Sequence, residues 1–198
     1  MNRIFTLAIS CLVLLMVSCS KDTPQSSSTD ARSDSPDVVS IEDARTISST
    51  PEFQSNPEWV HTKPEASPDA PEPCRNAYDQ LALFGGSWSQ FRSVTYNATI
   101  DDPIVPDIAK ITQTVAVYDD DRSAQSIFEK IENSLARCAT ANIEFYSKPV
   151  EHVDQSTLIL KGDASTYIYK VRQSRIVYVA AGGSFDTSHT ATEIANRL

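Results

Sequence analysis

The most regular alternation of hydrophobic and polar positions lies in the middle of the chain. Residues 111–118, ITQTVAVY, are rich in β-branched side chains and predict a strand. Asp119, Asp120 and Asp121 predict a turn and a helix N-terminus, where the helix dipole favours carboxylates. Their alternative role as metal ligands lacks the spacing and the glycine of a calcium loop. The positions that then repeat on one helical face are Ala124, Ile127, Phe128, Ile131, Leu135 and Cys138.

The last third of the chain predicts a meander of short strands and a closing helix. The β-rich runs cover residues 144–146, 156–161, 166–172 and 175–181. The last two runs predict a hairpin with Gln173 and Ser174 at its tip. The closing segment places Ala191, Ile194, Ala195 and Leu198 on one face of a helix.

The region before the central strand divides into helical and extended parts. Ser40 and Asp43 predict the start of a short helix that runs toward Ile47. Residues 76–84 predict a second helix, and residues 87–99, SWSQFRSVTYNAT, predict a strand with a bulge. Between the two helices, the prolines at positions 51, 57, 64, 68, 71 and 73 predict an extended excursion rather than a helix or strand.

This order of strand, helix, several strands and helix favours an α+β fold. We expect a single domain in which a twisted antiparallel sheet has helices packed on one face. Residues 38–198 form this domain and provide enough chain for a hydrophobic core.

The N-terminus has the order of a secretory signal. Arg3 precedes an uncharged run at residues 4–17 and the small residue Ser18. The run is shorter than the roughly 20 apolar residues of a membrane span. Cys19 follows at the border, so the segment resembles a bacterial lipobox, with Met16 where leucine is usual. The pattern predicts a lipid on Cys19; ordinary signal cleavage with an incidental cysteine is the alternative.

The chain is therefore expected to divide into three parts. Residues 1–18 are the signal peptide, residues 19–37 are a polar, flexible tether, and residues 38–198 are the folded domain. The expected location is outside the cytoplasm, with the N-terminal lipid as the anchor in the cell membrane.

The four cysteines have different expected fates. Cys11 lies in the signal and Cys19 carries the lipid, which leaves Cys74 and Cys138 in an oxidising compartment. We expect these two to form a disulfide. The alternatives are two buried free thiols or a shared metal, but the chain has no CxxC pair and no histidine near either cysteine, so we expect no metal and no cofactor.

Charge and motifs exclude several classes of function. The formal charge is −9, and removal of Arg3 with the signal lowers it to −10, which disfavours nucleic acid and anionic membrane surfaces as partners. The sequence contains no GxSxG, no HExxH and no glycine-rich phosphate loop. His61, His152 and His189 stand apart in predicted loops and at a helix start, so we expect no enzyme activity.

A family resemblance rests on Cys74, the aromatic strand, residues 111–139 and the final hairpin and helix. Together they resemble the PknH-like extracellular domain, the outer sensor of a mycobacterial serine/threonine kinase that also occurs in free-standing lipoproteins. Leu135 stands where the family often has tryptophan, and the chain lacks cysteines for a second disulfide common in the family. The resemblance implies a twisted antiparallel sheet, flanking helices and a groove for a small ligand, but it identifies no ligand residue.

These observations favour an envelope-anchored binding or sensor module whose groove accepts a small molecule, lipid or peptide. We expect at least one of Tyr167 and Tyr169 to line the groove, with Trp88 or Tyr96 as a neighbour. The alternative for most aromatic rings is packing against the sheet. The alternative function is a structural protein that docks an envelope protein partner; a flat apolar patch over a filled core favours it, whereas a groove with several aromatic rings favours binding.

The lipid anchor can be tested with Cys19→Ala. Because the variant lacks the thiol that accepts the lipid, we expect the protein to leave the membrane fraction and to lose the mass of the acyl chains. Fractionation and intact-protein mass spectrometry measure both effects, with Cys11→Ala as the control that keeps its lipid. A variant that stays fully membrane-bound contradicts the lipobox interpretation.

Overall fold

The computed structural model describes residues 35–66, 70–100 and 107–198. The signal peptide, Cys19 and the tether up to residue 34 lie outside the described residues. The described chain runs in the order α1 (Ile41–Ser48), β1 (Gln54–His61), α2 (Arg75–Tyr78), α3 (Gln80–Phe84), β2 (Trp88–Ile100), β3 (Asp107–Tyr118), α4 (Asp121–Thr140), β4 (Val150–Asp154), β5 (Thr157–Gly162), β6 (Ser165–Arg172), β7 (Arg175–Gly182) and α5 (Thr187–Arg197).

The strands form one sheet in the order β1-β2-β3-β7-β6-β5-β4, and every neighbouring pair is antiparallel. The predicted α+β class with an antiparallel sheet is therefore confirmed. The hairpin between β6 and β7 turns at Gln173, whose positive φ of 54° fits the predicted tip.

Helices cover both faces of the sheet, whereas the sequence predicted helices on one face. Ile176 on β7 contributes to the cluster packed against α4, and Val177 contributes to the cluster packed against α1 and α5. We call these the α4 face and the α5 face. The difference arises because β7 reads IVYVAA with no polar position, the pattern of a strand buried on both sides.

Strand β1 lies inside the proline-rich segment that was predicted to contain no regular element, so that prediction was wrong there. Pro57 sits within β1, but β1 is an edge strand and its missing N–H costs no bond in the sheet interior. The pairing with β2 shifts register between Ser55 and Val60, which accommodates the proline.

The strand predicted at residues 144–146 was also wrong, because these residues form a turn at the end of α4. The Ser147 hydroxyl donates to the Cys138 carbonyl at 2.6 Å and accepts from the Ile143 N–H at 2.8 Å. Phe145 adopts a positive φ of 66° in this turn. The strand of this region instead begins at Val150 and forms the other edge of the sheet.

The predicted helix at residues 76–84 is divided in two by Asp79. Its carboxylate accepts from the Leu81 N–H at 2.8 Å, which caps α3. The longest helix, α4, follows its prediction closely: Asp120 caps it by accepting from the Ser123 N–H at 2.7 Å. That hydrogen bond also lowers the pKa of the Asp120 carboxyl.

A buried amide ties the start of the domain to the sheet. Gln113 on β3 is fully buried; its side chain donates to the Val39 carbonyl at 2.7 Å and accepts from the Val39 N–H at 2.8 Å. The Tyr96 hydroxyl donates to the same carbonyl at 2.8 Å. These three hydrogen bonds fix the backbone of Val39 to the α5 face of the sheet.

A disulfide joins Cys74, just before α2, to Cys138 near the end of α4, and the predicted pairing is confirmed. The Cα atoms are 4.5 Å apart and both side chains are buried. Tyrosine hydroxyls bind the same segment: Tyr169 donates to the Ala77 carbonyl at 3.3 Å, and Tyr118 donates to the Phe84 carbonyl at 2.9 Å. The α2–α3 segment is thus held over the α4 face by one covalent bond and two buried hydrogen bonds.

Replacing both cysteines with alanine should lower the free energy of unfolding by roughly 4 kcal/mol, because the bridge closes a loop of 64 residues. Urea unfolding measures this loss, and the reduced wild type should match the variant. Hydrogen exchange should show α2–α3 amides losing protection before those of the sheet. Equal unfolding midpoints for the variant and the oxidised wild type would contradict the expected contribution of the disulfide.

Thr190 on α5 offers a second stability test. Its side chain is fully buried, and its hydroxyl has no hydrogen-bond partner among the described residues. Thr190→Val removes the unpaired hydroxyl and keeps the branched shape, so the free energy of unfolding should rise by about 1 kcal/mol. Thr190→Ala is the control, because it also removes packing and should destabilise. A Val variant less stable than wild type contradicts the assignment.

Candidate ligand-binding cleft

A concave cleft of about 370 Å³ opens on the α4 face where α4 does not cover the sheet. Its floor is formed by β2 and β3, with β1 at one side and β6 and β7 at the other, and the α2–α3 segment forms its wall. The lining residues are Trp59, His61, Glu65, Ala66, Tyr78, Gln80, Leu83, Ser93, Thr95, Asn97, Lys110, Thr112, Tyr169 and Tyr178.

The floor of the cleft carries small side chains with hydroxyl groups. Ser93 and Thr114 share a hydroxyl hydrogen bond of 2.8 Å across β2 and β3, and Thr95 and Thr112 share one of 2.9 Å. The Gln80 amide donates to the Ser93 hydroxyl at 3.4 Å from the wall side. Within each pair the two hydroxyls are hydrogen-bonded to each other. Their oxygens keep lone pairs that can accept a further hydrogen bond.

Aromatic rings form the deep end of the cleft. Tyr169 packs on Tyr178 with the ring centroids 4.9 Å apart, and Tyr78 donates its hydroxyl to the Tyr146 carbonyl at 2.6 Å. Burial raises the pKa of Tyr78, Tyr169 and Tyr178 above the ordinary value for tyrosine. These phenols are neutral near physiological pH. The Tyr169 ring is buried, and the hydroxyls of Tyr169 and Tyr78 each donate to a backbone carbonyl.

Charged groups lie at the rim. His61 Nδ1 is 3.0 Å from Glu65 Oε1, so these two side chains interact with each other. Lys110 is exposed on β3, directly across from Asn97 on β2. Lys110 lines the cleft and also two neighbouring depressions of the same surface.

Two shallower depressions continue the cleft on either side. One of about 200 Å³ shares Thr112 and Tyr178 with the cleft and extends to Tyr167 on β6. The other, of about 590 Å³, shares Trp59 and Asn97 and extends past the edge of the sheet near β1. The concave surface is therefore longer than the cleft alone.

The structure brings together some of the predicted binding residues and separates others. Tyr169 lines the cleft and Tyr167 lines the adjoining depression. Tyr96 is buried on the α5 face, where it binds Val39. Trp88 packs on Phe91 with the ring centroids 5.7 Å apart and donates to the Gly85 carbonyl, so it supports the α4-face core and does not line the cleft.

Several cleft residues were missed by the sequence interpretation. Trp59 lies two residues after Pro57, in the proline-rich segment that was predicted to contain no helix or strand. The apolar pair Trp59 and Val60 is the only local indication of a strand there. Tyr78 lies within the helix predicted at residues 76–84. The break of that helix at Asp79 was not predicted, and Tyr78 was not assigned to the groove.

The described part of the chain contains no group of three or more histidine, cysteine or acidic side chains placed to hold a metal. Within the described ranges, no helix has the length and apolar character needed to cross a membrane.

A solved structure has a fold similar to that of this chain. No curated protein matches the chain. The crystal structure of the extracellular domain of PknH from Mycobacterium tuberculosis is similar, with a TM-score of 0.62 and 14% sequence identity. The similarity covers 81% of this chain and 89% of that one. At this identity the likeness concerns the fold.

The sequence itself matches the model of a protein family described as the PknH-like extracellular domain. The match runs over residues 37–198, which includes every described helix and strand, the disulfide and the cleft. The chain therefore belongs to the PknH-like extracellular domain family.

Proposed function

We propose that this protein is a non-catalytic sensor module, located outside the cytoplasm, that binds a small molecule from the cell envelope in the cleft. The observation that carries the proposal is the cleft itself, which combines the rings of Trp59, Tyr78 and Tyr178 with hydroxyl and amide groups. Concave sites that mix aromatic surface with a few polar groups are the usual form of small-molecule sites.

The location and the anchor come from different sources. The PknH structure is an extracellular domain of that protein, and family membership supports the same side of the membrane for this chain. The lipid on Cys19 and the tether remain predictions from the sequence.

The wall of the cleft supports a binding role. The α2–α3 segment contains a four-residue helix and a five-residue helix, too short to be stable alone, and it is fixed by the disulfide and two tyrosine hydroxyls. A wall held this firmly keeps the site open and preorganised, which reduces the entropy lost when a ligand binds.

The alternative of a docking protein without a ligand expects a flat apolar patch. The large apolar side chains exposed in the described residues stand on different elements: Val60 on β1, Leu81 on α3, Ile108 on β3, Phe145 after α4 and Val153 on β4. Isolated apolar side chains are normal on a protein surface. The cleft is the stronger feature.

The proposal is tested by a variant that fills the cleft. Thr95→Phe places a ring on the floor while keeping a residue that strands accept, so a small molecule that co-purifies with the wild type should be lost. Mass spectrometry of proteins purified gently from their native envelope measures this loss.

The matched control is Val153→Phe, which adds a ring on the exposed edge strand β4, outside the residues that line the cleft. It should retain the ligand at the wild-type level. If the two variants carry equal amounts of the co-purifying molecule, the binding role fails and docking of a protein partner becomes the better explanation.

A further inference from the structure

We propose that the ligand is an oligosaccharide that lies across the strands of the α4 face. This inference rests on the proposed function, because it assigns a chemical class to the molecule that the cleft binds. It is carried by the register of the sheet beneath the cleft and by the order of side chains along that register.

One row of paired positions crosses the sheet at the level of the cleft. Tyr167 on β6 pairs with Ala180 on β7, Ala180 pairs with Thr112 on β3, and Thr112 pairs with Thr95 on β2. The row ends at β1 in the register shift between Ser55 and Val60, where Trp59 lines the cleft. We call these residues, Trp59, Thr95, Thr112, Ala180 and Tyr167, the cross-strand row.

The row has aromatic rings at its ends and small side chains between them. Thr95, Thr112 and Ala180 form a low floor, while Trp59 and Tyr167 stand at the two sides. Neighbouring strands are about 4.8 Å apart, so the four steps from β1 to β6 span roughly 19 Å. This length suits an extended chain of a few ring-shaped units better than one compact molecule.

The chemistry of the row matches a sugar. A sugar ring has faces of C–H groups, which pack on flat aromatic surface, and an edge of hydroxyls that donate and accept hydrogen bonds. Trp59 offers the aromatic surface, and Asn97 and Gln80 offer amides that can do both. Lys110, beside Asn97, adds donors only.

Other ligand classes fit the lining less well. A lipid chain needs continuous apolar surface, but the floor carries the paired hydroxyls of Thr95 and Thr112. A peptide that adds a strand needs an open sheet edge, whereas the cleft lies on the face. A strongly anionic ligand needs several cations, whereas the described residues that line the cleft include one lysine, Lys110, and no arginine, together with Glu65.

The held wall fixes one side of this site. Tyr167 packs edge-on against Tyr78 of α2 with the ring centroids 6.2 Å apart, and Lys148 Nζ lies 5.8 Å from the centroid of the Tyr167 ring. The far end of the row is therefore in place before a ligand arrives. Trp59, partly exposed on an edge strand, is the principal stacking surface.

The test uses an array of defined oligosaccharides, from one to six units, built from glucose, galactose, mannose, arabinose or N-acetylglucosamine. The full-length protein is kept in a polyoxyethylene detergent, so that no sugar headgroup competes. We expect at least one series to bind, with affinity rising at least tenfold from one unit to four. Isothermal titration calorimetry measures the affinity of the wild type and of every variant, because its signal does not depend on the ring that Trp59→Ala removes.

Trp59→Ala and Tyr167→Ala should each weaken this binding at least about tenfold, because each removes one of the two aromatic rings that end the row. Tyr167→Phe should keep most of it. The control is Phe145→Ala, which removes a ring that is 82% exposed and outside the cleft lining and should leave affinity unchanged. Thermal unfolding of every variant separates a lost contact from a lost fold.

Two results of the binding assay overturn the inference: no array member binds at millimolar concentration, or the affinity for a bound sugar is unchanged by both Trp59→Ala and Tyr167→Ala. If Thr95→Phe still removes a co-purifying molecule and that molecule contains no sugar, the binding role stands and the saccharide assignment alone falls. If no molecule co-purifies and no sugar binds, both fall together.

Discussion

The cleft depends on how the α2–α3 segment is held over the sheet. This segment is too short to be stable alone, and its position comes from the Cys74–Cys138 disulfide and from the buried hydroxyls of Tyr169 and Tyr118. A buried hydroxyl that lost its partner would cost about 1–3 kcal/mol, so each bond strongly favours a single position for the wall. The concave surface therefore exists because the disulfide and these two hydrogen bonds hold the α2–α3 segment over the sheet.

The two faces of the sheet differ in how completely they are covered. The α5 face is closed by apolar packing and by the Gln113 amide, whose polar atoms are both bonded to Val39. On the α4 face, the core beneath α4 gives way to the hydroxyl pairs of β2 and β3, which are too small to fill the space under the wall. One strand pair, β2 and β3, therefore supports a sealed core on one side and an open polar floor on the other.

Much of the fold could be predicted from the sequence because its signals are local. The β-branched run before Asp119, the helical face of α4 and the turn at Gln173 each identify an element without tertiary information. The cleft could not be predicted in the same way. The register of β1 with β2 brings Trp59 to the cleft that Thr95 and Thr112 also line. Because Pro57 lies within β1, the hydrophobic pattern of the sequence did not predict that strand. Tyr96 was assigned to a groove because period-two alternation separates two faces without saying which one is open.

The attachment of Val39 has a mechanical consequence for a domain that is expected to hang from a membrane. A pull on the chain upstream of Val39 is resisted first by the paired hydrogen bonds to Gln113, in the interior of the α5 face. The cleft lies on the opposite face, and its wall is joined to α4 through the disulfide. A load applied to the chain before Val39 therefore enters the domain through residues that do not line the cleft, and the cleft can keep its shape under that load.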